Sequence, residues 1–194
     1  MIRIVVFYLA IQLNGLLVSL YLQDYMTIKV LVLLQLLLLS VVCLEMTHHK
    51  TVQAKNMTLR NRLRWLLLGF VAMVAFAVFI SFLFPVQARN QAVLVEVGKQ
   101  VPLFIFLLFL TNASVLEEIV YRQLLWEKLT FPFLQIVLTS FLFALAHGPN
   151  QLGSWLIYSC LGVTLAVVRL KTDCMTAITL HLLWNSLVNV LTFL

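Results

Sequence analysis

The sequence contains few charged residues. Asp, Glu, Lys and Arg together make up 10% of the 194 residues, whereas the set AVILMFWYC makes up 63% and mean hydropathy is +1.05. A soluble domain is nearer one quarter charged, so this composition cannot cover a water-exposed surface. Intrinsic disorder and a collagen-like repeat are excluded by the same figures. The composition therefore predicts a polytopic membrane protein of one domain's length.

Cysteine is also scarce. The three residues Cys43, Cys160 and Cys174 form no CxxC pair and lie in or beside apolar runs, where cysteine behaves as a small buried hydrophobe. A disulfide scaffold is thereby excluded, and the cysteines indicate no redox compartment. Basic runs interleaved with aromatic residues are absent as well, so the formal charge of +6 does not indicate nucleic-acid binding.

Long apolar runs dominate the chain. A spanning helix needs about 20 such residues, and seven segments approach that length. They are Ile2–Leu22, Thr27–Met46, Trp65–Val86, Val101 to about Lys128, Phe131–His147, Ser154–Leu170 and Cys174–Leu194. The first is predicted to be a retained helix rather than a signal peptide, because its apolar stretch is long and no small-residue cleavage site follows. We therefore expect an all-α, polytopic membrane helix bundle with about seven transmembrane helices.

Basic residues are distributed unevenly between the two sides of this predicted bundle. Three of them, Lys29, Arg89 and Lys99, fall on one side. The other ten fall on the side of the N-terminus: Arg3, Lys50, Lys55, Arg60, Arg62, Arg64, Arg122, Lys128, Arg169 and Lys171. The positive-inside rule then predicts a cytoplasmic N-terminus, with membrane lipid as a partner of the basic loops. Short loops and the lack of targeting signals favour a bacterial plasma membrane.

The only long connection in this layout lies between His48 and Arg64. Its last part, around Leu59 and Leu63, predicts a short helix at the level of the lipid headgroups. The adjacent His48 and His49 are interpreted as part of a solvated loop rather than as a metal site, because no acidic or thiol side chain lies near them in the sequence.

Ionisable residues within the spanning segments cluster in the C-terminal half. They and one amide are Glu117, Glu118, Arg122, His147, His181 and Asn185. Because such residues are costly inside a bilayer, they indicate a functional site. The sequence therefore predicts N-terminal scaffold helices and a basic loop in residues 1–100, and a catalytic core in residues 101–194, the last four helices.

Helix geometry suggests how these side chains are arranged. Glu118 and Arg122 are four residues apart and are predicted to pair, which leaves Glu117, rotated by about 100°, free to act as a general base. A hairpin near Pro132 would bring Glu117 and His147 to one level. His181, by contrast, lies about 10 Å too shallow unless its helix is tilted or begins deeper in the membrane.

His181 and Asn185 are one helical turn apart and point the same way. Both can donate hydrogen bonds to an oxygen on which negative charge develops, so the pair is suited to an oxyanion site. Taken singly, these residues have plainer explanations: Glu118 and Arg122 can staple two helices, and His147 can be a polar residue at the membrane interface.

Three motifs occur in order: EExxxR at Glu117–Arg122, FxxxH at Phe143–His147 and HxxxN at His181–Asn185. Together they resemble the CPBP family of intramembrane proteases (CAAX proteases and bacteriocin-processing enzymes, also called the Abi family), over about residues 101–194. The resemblance implies that Glu117 and His147 hold and activate the attacking water, and that His181 and Asn185 stabilise the tetrahedral oxyanion.

The resemblance assigns supporting roles to two further residues of the first motif, Glu118 and Arg122. Phe143 is predicted to pack the site without taking part in the chemistry. Gln123 departs from the family pattern, in which glycine is common after the arginine, and this departure is expected to affect helix packing.

The expected function is that of an intramembrane endopeptidase that cleaves a membrane-associated peptide or lipidated protein near the cytoplasmic half of the bilayer. HExxH is absent, and the amide of the third motif is a poor zinc ligand, so a metal-free mechanism without a cofactor is favoured over zinc.

Two other classes of function stay open. One is a non-proteolytic protein of bacteriocin self-immunity, or another peptide-binding membrane protein. The other is a proton-coupled transporter, which would predict inverted repeats and broken helices that the sequence does not show. The substrate and the oligomeric state are not indicated.

Overall fold

The fold consists of helices in a computed structural model that describes residues 1–48, 57–86 and 89–193. The eight α-helices of this described part are α1 (Ile2–Leu22), α2 (Ile28–His48), α3 (Leu59–Leu83), α4 (Arg89–Gln100), α5 (Leu103–Glu118), α6 (Pro132–Ala146), α7 (Leu152–Lys171) and α8 (Cys174–Phe193). Six helical stretches are long and apolar enough to cross a membrane, and α6 is a shorter apolar helix. The predicted all-α membrane bundle with about seven spanning helices is confirmed.

The fourth predicted span is not one regular helix. After α5 the chain continues as a π-helical segment, Ile119–Leu124, and a 3₁₀ turn, Trp126–Lys128. The backbone N–H of Leu125 donates to the carbonyl of Val120 at 2.9 Å, the i→i+5 spacing of a π-helix. Such segments are frequent at functional sites, and this one directly follows Glu117 and Glu118 and carries Arg122 of the first motif.

Two connections differ from the prediction. The residues around Leu59 and Leu63 form no separate interfacial helix: they are the first turns of α3, which begins after Thr58, whose side chain accepts a hydrogen bond from the backbone N–H of Asn61. Conversely, α4 was not predicted, although apolar Val93, Leu94 and Val97 recur at helical spacing. The interpretation of His48 and His49 falls on side chains outside the described residues.

Contacts between helix termini identify two ends of the bundle. At one end, which we call the basic end, Arg3 at the start of α1 pairs with Glu45 near the end of α2, and Arg62 in α3 pairs with Asp173 before α8 at 2.8 Å. At the opposite end, which we call the α4 end, Gly153 at the start of α7 lies against the Pro85 carbonyl that follows α3.

Buried amides join the first two helices to α5. The Nδ2 of Asn14 in α1 donates to the carbonyl of Phe109 at 3.0 Å, and the Nδ2 of Asn112 in α5 donates to the carbonyl of Gln35 in α2 at 3.0 Å. Hydrogen bonds between helices satisfy polar groups that lipid cannot. These bonds therefore hold α1 and α2 beside the helix that carries the first motif.

The outer surface of the bundle is apolar. Large side chains such as Phe82, Phe133 and Leu67 are exposed on the spanning helices. In water such a surface would cause aggregation. In a bilayer it contacts lipid tails, which are as apolar as these side chains. The chain is a membrane protein.

Candidate active site

Glu118 and Arg122 form the buried centre of the site. Both side chains are fully buried, with Nε of Arg122 3.5 Å from Oε2 of Glu118, which confirms the predicted pair. The same guanidinium donates from Nη2 to the carbonyl of Gly162 in α7 at 2.9 Å. In turn, the backbone carbonyl of Arg122 accepts a bond from Nε of Arg169 at 2.8 Å. The π-helical segment is thus fixed to α7 by two arginines.

Glu117 and His147 face each other across the helix pair. The Oε2 of Glu117 lies 3.8 Å from Nε2 of His147, so the predicted common level of the two residues is confirmed. The Nδ1 of His147 bonds to the carbonyl of Phe143 at 2.7 Å. Because a carbonyl only accepts, Nδ1 carries a proton, and Nε2 of the neutral ring presents a lone pair. The Oε2 of Glu117 is buried and has no hydrogen-bond partner among the described residues.

His181 reaches the first motif directly. Its Nδ1 lies 3.0 Å from Oε1 of Glu118. The expected mismatch in depth of about 10 Å does not occur. The reason is that α8 begins inside the bundle: its first residue, Cys174, is fully buried, and its Sγ donates to the carbonyl of Glu118 at 3.7 Å. The deeper start of this helix, one of the two explanations left open by the sequence, is the one found.

Asn185 is anchored by a residue that sequence reasoning missed. Its Nδ2 donates to Oγ of Ser114 in α5 at 2.8 Å, and the Ser114 hydroxyl donates to the carbonyl of Leu110 at 2.9 Å. An amide has two N–H donors, so one of them stays available. A lone serine in an apolar helix gave no signal in the sequence, because serine bonding to its own helix backbone is common.

The ring of Phe143 contacts both histidines. Its centroid lies 4.4 Å from that of His147 and 5.7 Å from that of His181. The guanidinium of Arg122 lies over the same ring, 4.7 Å from its centroid. Phe143 is buried and forms a wall that fixes the positions of these three side chains.

Glu117, His147, His181 and Asn185 all line one cavity of about 200 Å³, which we call the site cavity. Much of its remaining wall comes from outside the region predicted as the catalytic core, namely from α1 and α4. The contributing residues there are Tyr8, Ile11, Gln12, Asn14, Gly15, Asn90 and Leu94. Gln12 and Asn14 were visible in the sequence only as uncharged polar residues of an apolar helix.

The described residues contain no group of three or more His, Cys, Asp or Glu side chains arranged to hold a metal ion. In the site, Glu118 and His181 bond to each other, and Glu117 and His147 face each other as a pair. Gln123, the departure from the family pattern, is buried, and its amide donates to Glu127.

Comparisons with known proteins agree with the motifs. The family model described as Rce1-like, type II CAAX prenyl endopeptidase, matches residues 99–187. UPF0177 protein YvdC of Lactococcus lactis subsp. lactis (strain IL1403) is 36% identical over 102 residues, which cover 50% of this chain and 38% of YvdC. The match therefore spans less than half the length of that relative. No solved structure matches the chain. Residues 99–187, which include all three motifs, therefore match the Rce1-like family, and this match supports the resemblance to the CPBP family that the motifs indicate.

Proposed function

We propose that the protein is an intramembrane endopeptidase that hydrolyses a peptide bond with a water activated by Glu117 and His147. The match to the Rce1-like family supports a membrane protease, and the site cavity combines a carboxylate, two imidazoles and an amide. Four such groups around one cavity can supply both the base and the oxyanion donors that peptide hydrolysis needs.

One observation carries the proposal. Oε2 of Glu117 and the Nε2 lone pair of His147 are two hydrogen-bond acceptors 3.8 Å apart on the wall of one cavity. That separation is too long for a direct bond, and a single water can donate one hydrogen to each acceptor. Such a water turns its own lone pair away from both acceptors, towards an electrophile.

The chemistry then follows in two steps. Glu117 accepts a proton as the water oxygen bonds to the carbonyl carbon of the substrate, and the carbonyl oxygen becomes an oxyanion. In the second step the C–N bond breaks, and the proton held by Glu117 passes to the leaving amine. The products are a carboxylic acid and an amine, and transfer of the acid's proton to the amine gives a carboxylate and an ammonium group. No oxidant or reductant is consumed.

His181 and Asn185 are the proposed oxyanion donors. The free N–H of the Asn185 amide can donate at any pH. For His181, the proton on Nδ1 is already given to Glu118, so Nε2 donates only when the ring carries its second proton. In this proposal the carboxylate of Glu118 stabilises that imidazolium, and Glu118 and Arg122 act as positioning residues.

The proposed setting is the plasma membrane of a bacterial cell, with the N-terminus in the cytoplasm and a membrane-associated peptide or lipidated protein as substrate. The basic residues of the sequence support this orientation. Neither a metal nor another cofactor takes part in the proposed reaction, and nucleic acid is not a partner.

The test is a cleavage assay of the purified protein in lipid, read by mass spectrometry on a pool of prenylated CaaX-type peptides and bacteriocin-like precursors. Wild type is expected to cleave with and without a chelator, whereas Glu117→Gln is expected to lose at least about 100-fold in rate. Glu96→Gln is the matched control, because Glu96 is exposed on α4 and does not line the site cavity.

Full activity of Glu117→Gln would refute the assignment, and loss of cleavage with chelator would favour a metal instead. The self-immunity alternative makes a different prediction in cells. There, a phenotype that survives Glu117→Gln would favour a binding protein over a protease.

A further inference from the structure

The geometry points to α3 as the helix that sets the depth of His181 in the bundle, with Arg62 and Gly69 as positioning residues. Both residues precede the matched residues 99–187 and the predicted catalytic core. No described residue of α3 belongs to the wall of the site cavity, so α3 acts on the site through α8. This inference rests on the proposed function, because that function gives His181 its role.

Asp173 holds the start of α8. Its side chain is 2% exposed, and Oδ1 accepts hydrogen bonds from the backbone N–H and from the hydroxyl of Thr176, at 2.8 and 3.0 Å. Such a cap satisfies a backbone donor that would otherwise lack a partner at the N-terminus of a helix. The next residue, Cys174, is fully buried. The start of α8 therefore lies inside the bundle and not at its surface.

The carboxylate of Asp173 is paired with a residue of α3. Its Oδ2 lies 2.8 Å from Nη2 of Arg62, whose side chain is 26% exposed. A buried carboxylate is costly unless an opposite charge and hydrogen bonds compensate for the lost water. Arg62 supplies that charge from the first turn of α3, and the ion pair ties the start of α8 to the start of α3.

A second contact joins the same two helices further along. A Cβ at Gly69 would lie 2.7 Å from Cδ2 of Leu180 in α8 and 2.9 Å from Cγ2 of Val168 in α7, so α3 comes very close to both helices here. Leu180 directly precedes His181. The lack of a side chain at Gly69 therefore allows the turn of α8 that carries His181 to lie against α3.

The two contacts have the same spacing in both helices. Gly69 follows Arg62 by seven residues, and Leu180 follows Asp173 by seven residues. Seven residues are about two helical turns, or about 10 Å, so both contacts lie on one face of each helix. The helices α3 and α8 thus run parallel and in register from the basic end. A shift of α8 along α3 would break the ion pair and separate Leu180 from Gly69 at the same time.

This register determines where the two polar residues of α8 lie. His181 reaches Oε1 of Glu118 at 3.0 Å, and Asn185 reaches Oγ of Ser114 at 2.8 Å. Each residue of a helix advances by about 1.5 Å, so a shift by one residue is enough to break both hydrogen bonds. The contacts with α3 therefore hold the proposed oxyanion donors at the level of the first motif.

The test compares Arg62→Gln with Arg60→Gln, its matched control. Both variants remove one arginine from the first turn of α3, but Arg60 is exposed, whereas Arg62 is paired with Asp173. We expect Arg62→Gln to lower kcat at least about tenfold and to leave KM unchanged, because oxyanion donors that are displaced by about 1 Å act on a substrate that still binds. Arg60→Gln should keep the wild-type kcat. Arg62→Lys keeps the charge and should restore most of the rate.

Cys174 reports the depth of α8 without requiring activity. With Cys43→Ala and Cys160→Ala it is the one cysteine left in the sequence, and it is fully buried. In this background we expect N-ethylmaleimide to label Cys174 at least about tenfold faster when Arg62→Gln is added, because the start of α8 then opens more often. Adding Arg60→Gln should leave the labelling rate unchanged.

A further variant separates positioning from a loss of folding. Arg62→Gln leaves the buried carboxylate of Asp173 unpaired, a change that can destabilise the whole protein. The double variant Arg62→Gln/Asp173→Asn removes both charges and keeps an Oδ1 that can cap α8. We expect it to keep the melting temperature of the wild type in detergent, and still to show a lower kcat and faster labelling of Cys174.

Wild-type kcat and wild-type labelling in the double variant would overturn the inference. So would a raised KM with unchanged kcat, or equal losses of kcat in Arg62→Gln and Arg60→Gln, because neither result can come from displaced oxyanion donors. A wild-type protein that cleaves no peptide, together with the expected labelling pattern, would refute the proposed function and leave the anchoring of α8 by α3 established.

Discussion

The Nδ1 of His181 lies 3.0 Å from Oε1 of the fully buried Glu118. This contact joins α8 to the first motif and engages one of the two nitrogens of the imidazole ring. It also determines what the other ring nitrogen can do, because Nε2 can donate a hydrogen bond only from the protonated ring. Donation to an oxyanion by His181 therefore requires the doubly protonated ring, whereas donation by Asn185 does not.

His181 is expected to contribute to the rate of cleavage as an oxyanion donor. In His181→Gln the imidazole that Glu118 holds is lost. The rate should then be about 10²–10³-fold lower, which is the usual effect of removing one oxyanion donor.

This loss is measured as kcat for wild type and for His181→Gln, with detergent-solubilised protein. An unchanged kcat in His181→Gln would remove His181 from the oxyanion site.

Ser114 is expected to act by positioning Asn185. The bond from Nδ2 of Asn185 to Oγ of Ser114 is 2.8 Å long, and a bond of this kind contributes about 0.5–1.5 kcal/mol. Ser114→Ala should therefore lower kcat by about 2- to 10-fold and leave KM unchanged, because the amide is needed for the oxyanion and not for binding. Ser114→Thr keeps the hydroxyl and should restore most of the rate.

The matched control for Ser114 is Thr111→Ala. The hydroxyl of Thr111 donates to the carbonyl of Leu107, and Thr111 lies about one turn earlier on α5, outside the site cavity. Equal losses of kcat in Ser114→Ala and Thr111→Ala would mean that a general effect on α5, and not the anchoring of Asn185, explains the result.

Gly162 is expected to be required for stability. A Cβ at this position would lie 3.0 Å from Cα and 3.1 Å from the carbonyl oxygen of Ser140, and these backbone atoms cannot move aside without shifting α6. Overpacking of this kind costs about 1–3 kcal/mol. Gly162→Ala should therefore lower the melting temperature in detergent, and the displaced carbonyl should weaken its bond to Arg122.

The control for Gly162 is Gly15→Ala, because a Cβ at Gly15 would meet nothing within 4 Å. A melting temperature that is equally lowered in both variants, or unchanged in both, would show that the close approach of α6 and α7 does not limit stability.

Much of this arrangement was predictable because a membrane limits the choices. Apolar runs of about 20 residues must be helices, and ionisable residues within them must find partners. The pair of Glu118 with Arg122 and the common level of Glu117 and His147 follow from helix spacing alone. The catalytic roles of these residues stay predictions, since geometry shows that the groups meet and not what they do.

Other features of the structure leave no periodic pattern of apolar residues in the sequence. A π-helical segment depends on one extra residue per turn, which a helical pattern of apolar residues does not reveal, so Ile119–Leu124 was predicted as ordinary α-helix. The buried start of α8 at Cys174 depends on tertiary packing. The wall residues on α1 and α4 could not be assigned, because their role depends on which helices become neighbours.

The most direct test of the central claim is a double-mutant cycle on Glu117 and His147, measured as the single-turnover cleavage rate. If both side chains hold the same water, Glu117→Gln and His147→Ala each lower the rate by about 10²–10⁴-fold. The double variant should then be no slower than the slower single variant, because the loss of either side chain already prevents the water from being held and activated. Multiplicative losses in the double variant would show that the two residues act independently, and wild-type activity in either single variant would exclude that residue from the reaction.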